Sequence, residues 1–121
     1  MTRALNETFL LLLRGGISSS DLSADQLQQQ IQKYLSWIES LRHSGHFIAG
    51  EPLEETGKVL SGKSGQTIMD GPFAESKEAV GGYFMIRAKD LAEAVDVSRG
   101  CPIFDNHGTV EIRPIQPVPT V

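Results

Sequence analysis

Thr67 to Ile86 reads TIMDGPFAESKEAVGGYFMI and contains two strand-like runs joined by a stiff corner. Thr67, Ile68 and Met69 form the end of one strand, Asp70-Gly71-Pro72 forms a turn, and Gly82 to Ile86 forms a second strand rich in aromatic and β-branched residues. Pro72 fixes its own φ and restricts Gly71, while the Asp70 carboxylate is placed to accept from backbone N–H groups just ahead. The corner is therefore an elbow that carries one carboxylate.

Upstream, Glu7 to Arg14 is apolar without alternation, the pattern of a strand covered on both faces, and Gly15-Gly16 ends it. Ser23 and Gln26 stand in capping-box spacing and Leu22 and Leu27 in staple positions, so a helix is expected from Ala24. Leu27, Ile31, Tyr34, Leu35, Ile38 and Leu41 form its apolar stripe, Trp37 flanks it, and Gly45 ends it after Arg42 and His43. His46 to Gly50 is a short strand. Lys58 to Leu60 and Gln66 to Met69 flank the glycine-containing loop Ser61 to Gly65, the pattern of a hairpin.

Downstream, Asp90 and Glu93 mark a second helix with Leu91, Ala94, Val95 and Ser98 inward, stopped by Gly100 and Pro102. Thr109 to Arg113 alternates Val110 and Ile112 with Glu111 and Arg113, a strand with one wet face. This order gives an α+β, ferredoxin-like split βαβ sheet in one domain over residues 1–121, with two helices on one face and an inserted hairpin. Two helices cover one face only, and Phe9 to Leu13 and Tyr83 to Ile86 are apolar on both. A homodimer packed sheet on sheet is the expected cover, with Arg113 a surface or rim charge.

A net charge of −4 with scattered Lys and Arg argues against nucleic-acid or anionic-membrane surfaces. Cys101 is the single cysteine and no Cys/His cluster has metal-site spacing, so neither a disulfide nor a metal is expected. The short apolar run Phe9 to Leu13 fits neither a signal peptide nor a membrane span, and a cytoplasmic protein is expected. No GxGxxG, Walker-type loop, nucleophile elbow or HExxH occurs, and Ser61 to Ser64 resembles a phosphate loop in composition alone. No cofactor is expected.

The run Asp70 to Phe84, DGPFAESKEAVGGYF, resembles the signature of the YCII-related, DGPF-type family of small α+β proteins. The similarity extends to Gly45–Leu53, Gly100-Cys101-Pro102 and His107–Pro114. The resemblance implies a dimeric α/β barrel. In the YciI-like branch of that family a helix histidine is half of a His-Asp pair, and the aligned position here is Tyr34. A catalytic pair in this chain has to be built from His46, His107, Asp105 and Asp70.

Asp70 is either a general acid or base at a strand end or an Asx-turn residue of the elbow. His46, opening a strand, is either a proton shuttle or a half-buried junction histidine. If a cleft exists, both are expected to line it. Tyr83, His107, Asp105 and Glu51 are candidate ligand-binding residues; each also has an ordinary structural role as strand aromatic, turn residue or surface charge. Two function classes stay open. One is a cofactor-independent lyase or isomerase moving a proton on a small organic substrate, by analogy with related dimeric barrels. The other is a non-catalytic small-ligand-binding or regulatory module, associated, as the resemblance implies, with extracytoplasmic-function sigma factors.

Overall fold

The computed structural model describes residues 7–16, 21–71 and 79–118. A four-stranded antiparallel sheet is built from β1 (Glu7–Arg14), β2 (Phe47–Pro52), β5 (Val80–Ala88) and β6 (Thr109–Pro114) in the spatial order β2-β5-β1-β6. α1 (Ala24–His43) connects β1 to β2, and α2 (Leu91–Ser98) connects β5 to β6. Each helix thus joins two strands that have a third between them, the split βαβ plan the element order predicts. β3 (Gly57–Ser61) and β4 (Thr67–Gly71) form a separate two-stranded ribbon, the inserted hairpin.

The core lies between the sheet and the helices. Phe9, Leu11 and Leu13 of β1 and Phe84, Ile86 and Ala88 of β5 are buried and alternate with half-buried or exposed neighbours. Phe84 is the hub: Trp37 meets its ring edge-on at 4.9 Å, and Tyr34 and Phe47 lie at 6.4 and 6.5 Å. Gly50 lies directly against that ring, since a Cβ there would sit 2.2 Å from Phe84 Cδ1. A glycine in mid-strand is the condition for that approach.

α1 starts as its sequence predicts, with Ser23 accepting from Gln26 N and the Gln26 side chain accepting from Ser23 N. Its buried face differs from the expected stripe. Trp37 and Leu41 are buried and Tyr34 and Ile38 pack on the core, whereas Ile31 and Leu35 stay 43% and 53% exposed. Leu35 lies about 100° round the helix from Tyr34, so the face that meets Phe84 turns Leu35 to solvent and Trp37 inward. In α2, Asp90 caps as expected and Ala94 and Ser98 are buried, but Leu91 in the first turn is exposed.

The other face of the sheet carries a compact apolar patch. Leu10 pairs with Met85 and Leu12 with Tyr83, and all four are half-buried. On the β6 side Arg113 and Glu111 stand opposite Leu10 and Leu12; on the β2 side Ala49 and Glu51 stand opposite Met85 and Tyr83. Arg14 and Arg113 both bind the Glu111 carboxylate and hold its pKa below the ordinary carboxylate range, Arg14 contributing most.

Candidate functional site

The elbow is not the turn its sequence suggests up to Gly71. β4 runs through Asp70 to Gly71, and the Asp70 carboxylate accepts from Lys58 Nζ of its cross-strand partner. Asp70 is well exposed there. Pro72 and the rest of the motif through Glu78 lie outside the described residues.

His46 sits where α1 hands the chain to β2. Its Nδ1 is 2.6 Å from Ser44 Oγ and its Nε2 is 3.3 Å from Glu93 Oε1. Ser44 caps α1 and Glu93 occupies the first turn of α2, so the imidazole clips the end of one helix to the start of the other. Glu93 also accepts from Lys89 N, and this bond, followed by the His46 contact, lowers its pKa. Both ring nitrogens of His46 are occupied. The partners of His46 and of Asp70 are thus different residues on different elements, and neither residue lines the groove described next.

Among the remaining candidates, Glu51 and Tyr83 face each other as a cross-strand pair on the patch side of the sheet. His107 takes a left-handed conformation at φ 64° and closes the short helical turn Pro102–Asn106, donating its N–H to Phe104 O at 3.2 Å. Asp105 within that turn bonds Lys33 Nζ of α1 at 3.1 Å.

The Lys33–Asp105 bridge spans a groove between α1 and the segment from Arg99 to Asn106. On one side lies an open space of about 460 Å³ bounded by Lys33, Ser36, Arg99, Cys101, Phe104 and Asp105. On the other lies a smaller one of about 170 Å³, walled by Gln26, Gln29, Gln30 and Asn106 and sharing Lys33, Pro102 and Asp105. Under this groove the Tyr34 hydroxyl interacts with the Cys101 thiol. Burial pushes the thiol up to about 11 and the Tyr34 hydroxyl above its ordinary range, and the Asp105 charge adds to both. At neutral pH both groups therefore keep their protons.

Of the sequence candidates, the structure brings Asp105 to this groove, together with Tyr34, the position aligned with the family histidine. Lys33, Arg99 and Cys101 were not singled out as site residues. Lys33 and Asp105 lie 72 residues apart and meet only through the fold. The adjacent Cys101-Pro102 pair, just past a helix end, is the one local sign of a rigid segment there. Among the described residues no three His, Cys, Asp or Glu side chains gather as a metal site, and no helix is long and apolar enough to cross a membrane.

A curated relative, an uncharacterized protein of Rhizobium meliloti (strain 1021), is 41% identical over 59 residues, or 47% of this chain and 48% of the relative. The match spans about half the length of that relative. A similar solved structure is 5-chloro-2-hydroxyhydroquinone dehydrochlorinase from Burkholderia phenoliruptrix AC1100 in complex with 2,5-dihydroxybenzoquinone. The TM-score is 0.47 at 17% identity, covering 90% of this chain and 93% of the other. The YCII-related domain matches residues 12–119, most of the sequence, from the last three residues of β1 through β6. The chain belongs to the YCII-related domain family.

Proposed function

We propose that this YCII-related protein is a cofactor-independent enzyme of the lyase or isomerase type that moves a proton on a small organic substrate held in the Lys33–Asp105 groove. The observation that carries the proposal is the set of unlike proton-holding groups there. The Asp105 carboxylate stands at the rim, paired to Lys33, above a thiol and a phenol that burial keeps protonated. A proton acceptor held beside proton-bearing groups is what moving a proton on a bound substrate requires. Asp105 serves as the base, Lys33 steadies developing negative charge, and the neutral Cys101 thiol donates a hydrogen bond from the floor.

The test is a thermal-shift screen of small carboxylic acids and phenols, followed by ¹H NMR of each hit in D₂O. Exchange or turnover at a substrate carbon, lost in Asp105→Asn while binding persists, supports the proposal. Hits that bind without exchange or turnover overturn it in favour of a ligand-binding module. That second reading has its own support, since no histidine lines the groove.

The working unit in this proposal is a homodimer, a dimeric α/β barrel closed through the Leu10, Leu12, Tyr83 and Met85 patch. An apolar centre with a charged rim is the composition of an interface. Sedimentation at micromolar protein should give the dimer mass, and Leu12→Lys should give a folded monomer. A wild-type protein that stays monomeric and binds no hydrophobic dye refutes this part.

A further inference from the structure

Next to the groove, behind Gly100, lies one polar group that the described residues leave unused. Trp37 is 8% exposed, and among the described residues its indole N–H has no acceptor. No sealed side-chain nitrogen or oxygen among the described residues lacks a partner, so this N–H reaches open space. It does so beside Gly100, which lines the groove: a Cβ at Gly100 would sit 2.9 Å from Nε1 and 3.1 Å from Cδ1. The missing side chain leaves the donor uncovered.

The rest of the wall has a definite chemistry. Lys33 and Arg99 are cations on its two sides. Each has one aspartate partner, Asp105 at 3.1 Å and Asp96 at 3.5 Å, and these pairs are largely exposed and hence weak. Phe104 is 45% exposed although aromatic, and it lines the same space with Pro102. Two loosely held cations, a flat apolar wall and an unpaired N–H donor at its edge match one kind of molecule.

We propose that the groove selects a small organic carboxylate with a flat, unsaturated or aromatic body. The carboxylate lies between Lys33 and Arg99 and the body lies on Phe104 and Pro102. An oxygen of the ligand accepts from Trp37 Nε1. This rests on the assignment of the groove as the substrate site and names the class of substrate it takes.

Trp37 is the single tryptophan of the chain, so its emission reports on the groove directly. Benzoate and its neutral isostere benzamide are titrated at constant ionic strength. Saturable change in Trp37 emission with benzoate, and at least about tenfold weaker change with benzamide, is the expected result. Lys33→Gln should weaken benzoate by about the same factor and leave benzamide unmoved. Gly100→Ala, which places a methyl against Nε1, should weaken both. Gly100 has no left-handed φ, so alanine fits its backbone. Equal binding of benzoate and benzamide overturns the choice of an anion while leaving the groove as a ligand site. No saturable response to either, in emission or in the amide NMR shifts of Gly100 and Asp105, overturns both.

Discussion

Raising the pH should loosen this fold through Cys101 in a way that can be isolated by one substitution. The thiol has an ordinary value of 9.0 and burial lifts it to about 11 in the folded chain. The group keeps its proton longer in the native state than in the unfolded state, so between these values the unfolded chain binds fewer protons and stability falls as pH rises. The contribution is fully present below pH 9 and is lost as the pH climbs through 11. With about 1.4 kcal/mol per pH unit at full difference, the loss between pH 8 and pH 11 comes to about 2 kcal/mol. Domains of this size are stable by roughly 5–15 kcal/mol, so the loss is measurable. The assay is urea unfolding under reducing conditions, followed by Trp37 emission, on the wild type and on Cys101→Ala. Other titrating groups are common to both proteins and largely cancel in the comparison. The alanine variant should start less stable, because it removes a buried side chain, and the gap should close by about 2 kcal/mol toward pH 11. Stability curves that stay parallel from pH 8 to 11 would refute the buried, protonated thiol.

Gly50→Ala drives a methyl into the Phe84 ring and should destabilise by about 1–3 kcal/mol, seen as a lowered melting temperature; an unchanged melt would mean β2 does not lie so close. Ser23→Ala removes the Oγ that accepts from Gln26 N, leaving the backbone arm to the Gln26 side chain, and should cost about 1 kcal/mol in chemical unfolding, with Ser23→Gly costing less than the alanine. Glu111 should show the opposite pH sign from Cys101. Its depressed pKa gives stability that is present above the ordinary value of 4.5 and lost as the pH falls below it, so Arg14→Gln should flatten the acid limb of the stability curve.

How much of this could be read from residue order depends on the distance over which each interaction acts. The Ser23–Gln26 box and the inward placement of Val110 and Ile112 are fixed within a few residues, and both appear where expected, although Glu111 between them is half-buried too. The split βαβ order also follows from local patterns taken in sequence. The rotation of α1 does not, because the position of Phe84 on the sheet decides whether Trp37 or Leu35 turns inward. Asp70 stays in strand conformation because Lys58 lies opposite it, a pairing made by the ribbon register. The ion pairs at the groove and at the patch rim join residues 72 and 97 positions apart, and the His46–Glu93 clip spans 47. Such pairs leave no local mark in a single sequence.

The two outer strands of the main sheet, β2 and β6, both end in proline, at Pro52 and Pro114, and β2 is also bulged between Phe47 and Ala49. An uncovered strand margin is a template on which further chains can hydrogen-bond without limit, and proline and irregular register interrupt that template. Growth of fibrils or runaway strand-by-strand stacking is thereby discouraged at both margins of the sheet. In the proposed homodimer the contact is left to the Leu10, Leu12, Tyr83 and Met85 patch, where an interface between two copies would close on itself.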